Sequence, residues 1–402
     1  MSATLGATSS VTLPGHDELV ARAAALIPLL ERNAAQTEQD RRVAEENITA
    51  LREAGLFKVT VPARFGGYEA GIPTKVAVSR ELGKGDGSTA WAVTLLNVCA
   101  WFTGLFGEQA QQDVWGADPD ARIAGVFTPS GTTTKVDGGY RVTGSWGFAS
   151  GSWHAQWATV GVPLTDESGQ VIDQALALIP MADLSIKETW FVAGMSGTGS
   201  NTIVAEDVFV PGHRFISIIG ASQGKYQTPY TDEVLYRAAF LPVGCLVLLG
   251  PVLGMANAAL QYVLEKAKTR GIAYTTYELQ SDAPTAQIGV ARAAAMIRAA
   301  EAVGDTVGRE IMEYAARGDQ MPTAKRTALR LEVAWAAKTA REAVNSLVTT
   351  HGASSFALKN PLQRIFRDIE TATRHAFLSY DIAEEVHGRQ LMGNQYVVSP
   401  LS

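Results

Sequence analysis

DGGYRVTGSWGFASGSWHAQW, residues 137–157, is the most distinctive part of this chain. It opens with Asp-Gly, a strong signal for a β-hairpin turn, and the alternation that follows predicts a strand. Gly144, Gly147 and Gly151 weaken that strand unless another group must approach its backbone closely. Aromatic rings and short hydroxyl side chains lie between these glycines. The combination suits a flat heteroaromatic cofactor, although a glycine-rich hairpin that packs only for its own sake has the same composition.

Composition limits the classes of protein to which the chain can belong. Its 402 residues exceed what one small core needs, so two or three domains are expected. The net charge of −6, without long runs of like charge, argues against binding to nucleic acid or to an anionic membrane surface. Cys99 and Cys245 lie in apolar surroundings, which predicts buried free thiols. Six scattered histidines, with no CxxC or HExxH pattern, predict no metal site.

Two segments bear on location. Residues 1–16 are rich in Ser, Thr and Gly and lack the basic and apolar regions of a signal peptide, so we predict a flexible N-terminus on a cytoplasmic protein. Residues 238–260 are uncharged and long enough to cross a bilayer, and Gly250 and Gly254 have the GxxxG spacing of membrane helices. Two internal prolines and the lack of a second such span favour a buried core helix instead.

The periodicity of apolar residues changes twice along the chain. Residues 17–120 are helical in pattern, residues 121–232 alternate with a period of two, and residues 233–402 are helical again. The fold class is therefore α+β, with an N-terminal helical domain, a central antiparallel β domain and a C-terminal helical bundle. A connecting loop at 212–232 precedes the bundle, whose last helix is predicted to run unbroken over residues 362–387. The predicted strands are 123–127, 132–136, 140–142, 157–162, 175–179 and 202–210.

This order of domains resembles the acyl-CoA dehydrogenase fold, and the resemblance covers most of the chain. It is carried by LREAGLFKVTVPARFGGYEAG (51–71), RELGKGDGSTAW (80–91), GSWGFASG (144–151), EDVFVPGHR (206–214) and PLQRIFRDIETATRHAF (361–377). Each motif alone is only moderately specific, whereas all five in this order make a strong signal. The resemblance implies a flavin bound between the β domain and the bundle, and a homotetramer.

Dehydrogenation of an acyl thioester requires a carboxylate base, and the chain has none at either position where this fold commonly carries one. In the common branch of the fold that base is a Glu eight residues past the Asp of an Arg-Asp pair. Here the pair is Arg367-Asp368, and Ala376 stands at that position. In a second branch the base is a Glu directly before an Arg in the first bundle helix, where this chain has Tyr236. Glu233, just upstream, remains open as a relocated base.

His375 and the 144–151 motif resemble instead the flavin-dependent monooxygenases built on this fold. These are oxygenase components of two-component systems, such as the 4-hydroxyphenylacetate hydroxylase oxygenase. Carried over by motif, Ser150 lies near flavin N5 and His375, in the last helix, lies over the reactive face; both are the predicted catalytic residues. The resemblance implies a reduced flavin, FMNH2 or FADH2, that forms a flavin hydroperoxide with molecular oxygen. His154 and His351 are interpreted as solvated loop histidines.

The other predicted flavin contacts are Trp146, Phe148 and Ala149, together with Arg270. Arg270 matches the Arg by which this fold often reaches a flavin phosphate across a subunit interface. A guanidinium suits phosphate because it binds two oxygens at once. The chain has no GxGxxG or P-loop motif. We therefore expect no nicotinamide site and a separate NAD(P)H-dependent flavin reductase as the source of electrons.

Aromatic side chains dominate the predicted substrate pocket, which consists of Trp91, Cys99, Trp101, Tyr236, Phe240 and Phe377. They predict a flat, neutral or weakly polar aromatic or heteroaromatic substrate that is hydroxylated or otherwise oxygenated. Phenol hydroxylases of this kind carry a substrate-binding His where this chain has Cys99, and a thiol is a weak donor. Indoles, polycyclic aromatics, sulfur heterocycles and amino sugars therefore stay open. Two other functions also stay open: an acyl-CoA dehydrogenase or oxidase with a relocated base, and a non-catalytic flavin-fold binding protein.

Overall fold

The N-terminal part of the chain is helical, as its periodicity predicts. The structure, a computed structural model, describes residues 13–394 and 396–399. Residues 1–12 of the predicted flexible start lie outside the described residues, and His16 already begins the first helix. The helices of this part are α1 (His16–Ala25), α2 (Ile27–Asp40), α3 (Glu45–Glu53), α4 (Ile72–Gly85), α5 (Gly87–Thr103) and α6 (Glu108–Trp115).

The middle of the chain forms two four-stranded sheets, with strand orders β1-β4-β5-β8 and β2-β3-β7-β6. All pairings are antiparallel except that of β1 with β4, which is parallel because the β2–β3 hairpin between them belongs to the other sheet. With this one exception the predicted antiparallel domain is confirmed. The strands are β1 (Ile123–Val126), β2 (Thr132–Val136), β3 (Gly139–Ala149), β4 (Trp157–Thr165), β5 (Val171–Pro180), β6 (Ser185–Lys187), β7 (Asn201–Pro211) and β8 (Phe215–Ser217).

The C-terminal part is a helical bundle, which differs from the prediction in two places. The predicted loop at 212–232 contains β8 and a short helix. The predicted unbroken last helix over residues 362–387 is wrong, because the chain leaves the helix after Ala372 and starts a new one at Tyr380. The helices are α7 (Ile218–Ser222), α8 (Phe240–Leu246), α9 (Leu249–Ala267), α10 (Pro284–Arg317), α11 (Thr323–His351), α12 (Pro361–Ala372) and α13 (Tyr380–Leu391).

Helix α5 lies at the centre of the protein, and its apolar sequence follows from that position. The carboxylate of Asp86 caps its first turn by accepting from the backbone and side chain of Thr89 at 2.8 and 2.6 Å. Nearly every side chain of α5 is buried. The helix packs against α4, α9, β1 and the segment 196–198, so that all three parts of the chain meet on it.

The uncharged segment after residue 238 is a core element of the bundle. Phe240–Ala267 has the length and mean hydropathy of a bilayer-crossing helix, but 83% of its most apolar window is buried inside the protein. Its GxxxG pair serves an intramolecular crossing with α4. A Cβ on Gly254 would lie 2.3 Å from the carbonyl oxygen of Arg80, and a Cβ on Gly250 would lie 2.8 Å from that of Val76. These contacts favour the core-helix interpretation.

Gly254→Ala is expected to lower the free energy of unfolding by about 1–3 kcal/mol, because the new methyl group forces the backbones of α4 and α9 apart. Gly388→Ala is the matched control. Nothing lies within 4 Å of a Cβ at Gly388 in α13, so this change should raise the free energy of unfolding by about 0.5–1 kcal/mol through helix propensity. Denaturant unfolding of both variants measures the difference, and shifts of the same sign and size would contradict the close crossing.

Candidate active site

The end of β3 exposes one aromatic ring. Its register with β7 shifts between Trp146 and Ala149, which marks a β-bulge. Phe148 lies in the bulge with a φ of 66°, a left-handed conformation that costs a non-glycine residue on the order of 1–3 kcal/mol. The residue is 73% exposed and meets Trp190 edge-on, with ring centroids 5.5 Å apart. A strained backbone that exposes a large ring indicates a surface prepared for a ligand.

The side chains of Trp146 and Ala149 point the other way, into the core between the sheets. Trp146 is 1% exposed, and its Nε1 donates to the carbonyl of Gly161 at 2.8 Å. Ala149 is fully buried in the same cluster. The prediction that these two side chains line a flavin ring is therefore wrong, because sheet alternation places them inside and the bulge turns only Phe148 outward.

Ser150 begins a chain of hydroxyl groups. The residue is 4% exposed, and its Oγ lies 2.6 Å from Ser200 Oγ. Ser200 Oγ in turn lies 2.6 Å from Thr198 Oγ1, which donates to the Met195 carbonyl at 2.8 Å. Residues 194–200, which we call the 194–200 loop, therefore hold the Ser150 hydroxyl group in place.

Helix α12 fixes the 194–200 loop from the side of the bundle. The Met195 N–H donates to Asp368 Oδ1 at 2.5 Å, and Asp368 is 3% exposed. Burial raises the pKa of Asp368 to about 7, because the hydrogen bond from Met195 offsets only part of the lost hydration. Gly194 touches α12 so closely that a Cβ would lie 2.1 Å from the Arg367 carbonyl oxygen. The β domain and the bundle are thus joined directly behind Ser150.

His375 lies in the break between α12 and α13, not within a helix as predicted. Its Nδ1 accepts from the backbone N–H of Phe377 at 3.2 Å, so the neutral ring carries its proton on Nε2. Within residues 13–394 and 396–399, Nε2 makes no hydrogen bond. The ring meets Trp91 edge-on at 5.8 Å between centroids. Part of its surface stays accessible, yet desolvation by the surrounding protein lowers the pKa of His375 from 6.5 to about 4.

Ser150 and His375 both lie beside helix α5. A Cβ on Gly151 would lie 3.2 Å from Leu96, so the residue after Ser150 packs on this helix. His375 packs on Trp91 of the same helix. Trp91 and Leu96 are only about 8 Å apart along the helix axis, at a rise of about 1.5 Å per residue. The two predicted catalytic side chains therefore flank the same short stretch of α5.

Arg270 lies far from this stretch within one chain. Its Nη1 donates to His351 Nε2 at 2.9 Å and to Ser354 Oγ at 2.8 Å, beside the C-terminal end of α11. The break that holds His375 lies instead near the start of α11. There Nη2 of Arg330 donates to the backbone carbonyl of Ala376 in the break at 3.4 Å. The stretch of α11 between the two contacts spans roughly 30 Å. One chain does not bring Arg270 to the predicted catalytic residues.

The interpretation of His154 and His351 as solvated loop histidines is wrong, since they are only 6% and 3% exposed. Burial lowers the pKa of His154 to about 4, against the opposing effect of Glu45. Burial and the positive charge of Arg270 lower the pKa of His351. Both rings are therefore uncharged structural parts of the core at neutral pH.

Aromatic rings fill the space between α5, the end of β1 and α8. The ring centroid of Phe102 lies 4.5 Å from those of both Phe127 and Phe240. Phe377 reaches this cluster from the break, because a Cβ on Gly244 would lie 3.0 Å from its ring and 3.8 Å from that of Phe102. The predicted pocket residues Phe240 and Phe377 thus belong to one aromatic wall, and sequence reasoning missed Phe127, which packs on Phe102 and Phe240.

Other predicted pocket residues are parts of the core. Trp101 is fully buried, and its Nε1 donates to a backbone carbonyl at 3.0 Å. Cys99 is 2% exposed and its thiol faces Gly125 of β1. Tyr236 is 1% exposed and donates its hydroxyl proton to a backbone carbonyl at 2.8 Å. Trp101 and Cys99 are thus as tightly packed as Phe102 and Phe240, and their contact with a substrate stays a prediction.

A cleft of about 410 Å³ lies next to the aromatic wall. Its lining comes from residues 222–240 and from residues 314–326, at the turn between α10 and α11. Tyr236 and Phe240 are the predicted pocket residues that reach it. The cleft therefore reaches the aromatic wall at Phe240.

Comparison with known proteins identifies the family. The family models described as "Acyl-CoA dehydrogenase, N-terminal domain" and "Acyl-CoA dehydrogenase, C-terminal domain" match residues 19–118 and 246–380. The "Flavin-dependent monooxygenase, oxygenase subunit HsaA" of Rhodococcus jostii (strain RHA1) is 35% identical over 88% of this chain and 92% of its own length. This chain belongs to the flavin-dependent monooxygenases of the acyl-CoA dehydrogenase fold. The predicted fold and enzyme class are thereby confirmed.

Two further comparisons concern the cofactor of these monooxygenases. The "FADH(2)-dependent resorcinol hydroxylase, oxygenase component" of Rhizobium sp. (strain MTP-10005) is 33% identical over 94% of this chain and 95% of its own length. The structure of XiaF from Streptomyces sp. in complex with FADH2 and glycerol has a TM-score of 0.90 and 32% identity, covering 96% of this chain and 97% of that one. The predicted reduced flavin, with molecular oxygen as co-substrate, is confirmed.

The end of β3 in this monooxygenase fits such a cofactor. Phe148 offers an exposed aromatic ring, Ser150 has a hydroxyl group two residues further on, and His375 has an N–H without a hydrogen-bond partner in the described part of the chain. These groups suit a flat ring with hydrogen-bonding nitrogens. Among the described residues, no group of three or more His, Cys, Asp or Glu side chains could hold a metal ion.

Sequence reasoning missed the 194–200 loop of the monooxygenase. Thr198 and Ser200 connect Ser150 to the bundle, yet neither was predicted as a site residue. A signal was present, since Gly194, Gly197 and Gly199 lie within six residues. Glycines this dense mark a backbone that other elements approach closely. Their target was not readable, because α12 lies far away in sequence.

Proposed function

We propose that this monooxygenase oxygenates an aromatic or heteroaromatic small molecule, and that a separate NAD(P)H-dependent flavin reductase supplies its reduced flavin. The observation that carries the proposal is that Ser150, His375 and the aromatic wall all lie beside helix α5. The names of the relatives support it, since they are oxygenase subunits or components and one is a resorcinol hydroxylase.

Each group in the site has a distinct role in this proposal. When bound, the reduced flavin activates molecular oxygen for insertion into the substrate. Ser150 holds the flavin ring at N5, and Phe148 packs against the ring. His375 donates a hydrogen bond from Nε2 towards oxygen reacting in the site, which a neutral ring does without losing its proton. The aromatic wall of Phe102, Phe127, Phe240 and Phe377 excludes water and stacks against a flat substrate.

The geometry weighs against the acyl-CoA dehydrogenase alternative. That reaction needs a free carboxylate beside the flavin. Both carboxylate oxygens of Glu233, the open candidate for a relocated base, accept from Arg64. Ala376 occupies the position of the common base. Neither position therefore supplies a free base.

The function is tested with purified protein, chemically reduced FAD or FMN, and ¹⁸O-labelled oxygen. Indole, resorcinol and a polycyclic aromatic serve as probes. We expect one labelled oxygen atom in the product of at least one probe. Release of all consumed oxygen as hydrogen peroxide with every probe, together with bleaching of oxidised flavin by an acyl-CoA under anaerobic conditions, would refute the proposal.

We also propose that the protein is a homotetramer in which Arg270 serves the flavin of a neighbouring subunit. Within one chain Arg270 lies roughly 30 Å from the His375 break along α11. Phe356 and Leu358, which follow the Arg270 partner Ser354 in the chain, are 57% and 89% exposed, and Ile288 at the start of α10 is 59% exposed. Burial of these side chains against a second copy would bring Arg270 within reach of a flavin phosphate.

Arg270→Ala is expected to weaken binding of reduced flavin about ten- to a hundredfold, because a charge-assisted hydrogen bond to phosphate is lost. The rate of product formation at saturating flavin should change little. Arg141→Ala is the matched control. It removes an exposed arginine of β3 that pairs with Asp207 of β7. Anaerobic titration gives the affinities, and light scattering gives the oligomeric state. An unchanged affinity in Arg270→Ala would contradict the assignment.

A further inference from the structure

The hydroxyl group of Ser150 can donate its proton only to Ser200. The Met195 carbonyl can only accept, so Thr198 Oγ1 must donate to it at 2.8 Å. This uses the single proton of Thr198, and Ser200 must then donate to Thr198 at 2.6 Å. By the same reasoning Ser150 must donate to Ser200 at 2.6 Å. The Ser150 oxygen therefore offers only lone pairs to anything else that approaches it.

These three hydroxyl groups are shielded from bulk water. Ser150, Thr198 and Ser200 are 4%, 2% and 4% exposed, so water does not provide alternative partners. Met195, which accepts the last of these hydrogen bonds, is also held in place. Its carbonyl accepts from Trp190 Nε1 at 2.9 Å, and its N–H donates to Asp368. If the direction of donation along the three hydroxyl groups were reversed, Thr198 Oγ1 and the Met195 carbonyl oxygen would face each other without a proton between them. Such a contact is unfavourable in a buried site.

Reduced and oxidised flavin differ at N5 in the property to which such a hydroxyl group responds. Reduced N5 carries a hydrogen and donates, whereas oxidised N5 has a lone pair and accepts. An oxygen that offers only lone pairs bonds the first and not the second. We propose that Thr198 and Ser200 are positioning residues that hold Ser150 as an acceptor and thereby make the site select reduced over oxidised flavin. The inference rests on the proposed contact of Ser150 with flavin N5.

The selection has a consequence for turnover. Oxidised flavin receives no hydrogen bond from Ser150, so its exchange for reduced flavin from the reductase is favoured. The discrimination belongs to the 194–200 loop, since an isolated serine can rotate its proton to serve either redox state. Thr198 is the decisive residue, because its donation to the Met195 carbonyl sets the direction of the other two hydrogen bonds.

Thr198→Val removes the hydroxyl group with little change of shape and frees Ser200 and Ser150 to rotate. We expect the ratio of the dissociation constants of oxidised and reduced FAD to fall about five- to tenfold, the effect of one neutral hydrogen bond. The two-electron potential of the bound flavin should fall by about 20–30 mV, since tenfold corresponds to about 30 mV. Thr198→Ser keeps the hydroxyl group and should restore both values.

The measurements are anaerobic titrations of oxidised and reduced FAD and a spectroscopic redox titration, with thermal unfolding of each variant. A wild-type ratio in Thr198→Val would overturn the inference. Equal weakening of both redox states in Thr198→Val and Thr198→Ser would also overturn it, because that pattern reflects general damage to the loop. If the wild-type protein oxygenates a substrate but Ser150→Ala keeps the wild-type ratio, this inference fails and the proposed function stands. If the wild-type protein binds neither oxidised nor reduced flavin, the proposed function itself is refuted.

Discussion

His375→Asn is expected to lower the rate of product formation by about 10²- to 10³-fold without disturbing the fold. A hydrogen-bond donor aimed at charge that develops during the reaction contributes about 10²- to 10³-fold to a rate, and Nε2 of His375 carries its proton without a hydrogen-bond partner in the described part of the chain. The shorter Asn side chain does not place a donor at the position of Nε2. Its amide oxygen can still accept the N–H of Phe377, which Nδ1 now accepts at 3.2 Å, and Asn is a favoured capping residue.

The comparison with His375→Ala separates two roles of the side chain, namely hydrogen-bond donation from Nε2 and capping of the Phe377 N–H by Nδ1. Alanine loses both the Nε2 proton and the cap, so it should lower activity as Asn does and also lower the thermal stability of the break between α12 and α13. The readouts are product and hydrogen peroxide formed for each reduced flavin consumed, together with the dissociation constant of reduced flavin. Wild-type product yield in His375→Asn would remove His375 from the chemistry.

The pH dependence gives a second check on His375. Since desolvation lowers its pKa from 6.5 to about 4 in the folded protein, the ring stays neutral from pH 8 down to about pH 5. The part of the activity that depends on His375 should therefore not titrate near pH 6.5. Between pH 6.5 and 4 the unfolded chain binds more protons than the folded chain, so His375 stabilises the fold fully above pH 6.5 and loses this contribution as the pH falls towards 4. His375→Asn should flatten the stability curve in that window.

The fold could be predicted where local signals set the structure. Strand β2 begins and ends at the predicted residues 132 and 136, because turn residues flank it on both sides. Helix α10 ends at Gly318, which adopts a φ of 74° as a C-cap. Periodicity alone does not reveal the break at His375, where no glycine or proline interrupts the helical pattern. A side-chain cap and a contact with Arg330 stabilise that break, and neither is a local signal.

The site was predictable in type but not in the direction of each side chain. The 144–151 motif identifies the stretch and Ser150, whereas the bulge decides that Phe148 faces outward and Trp146 inward. One extra residue in a strand reverses the faces of its neighbours. The partners of Ser150 come from a loop some fifty residues away, held by Asp368 of the last part of the chain. Such long-range contacts have no signature in a single sequence.

Lys75→Met is expected to raise the free energy of unfolding at pH 7 by about 2–4 kcal/mol. Lys75 is 1% exposed among apolar residues of α4 and α5, and its Nζ donates to the Thr94 carbonyl at 2.9 Å. Desolvation lowers its pKa from 10.5 to about 7. Each unit corresponds to about 1.4 kcal/mol, and loss of the hydrogen bond subtracts about 1 kcal/mol. Methionine has a similar shape and no charge to desolvate.

The sign of the pH dependence distinguishes this cause from better packing. Between pH 7 and 10.5 the unfolded chain binds more protons at Lys75 than the folded chain, so the wild-type protein gains stability as the pH rises and the advantage of methionine shrinks. Denaturant unfolding at pH 7 and pH 9 should show a difference that falls by about 2–3 kcal/mol. Lys84→Met, on the exposed face of α4, is the control and should change stability by less than about 0.5 kcal/mol at either pH. An advantage of Lys75→Met that is equal at both pH values would mean that charge burial is not what Lys75 costs the fold.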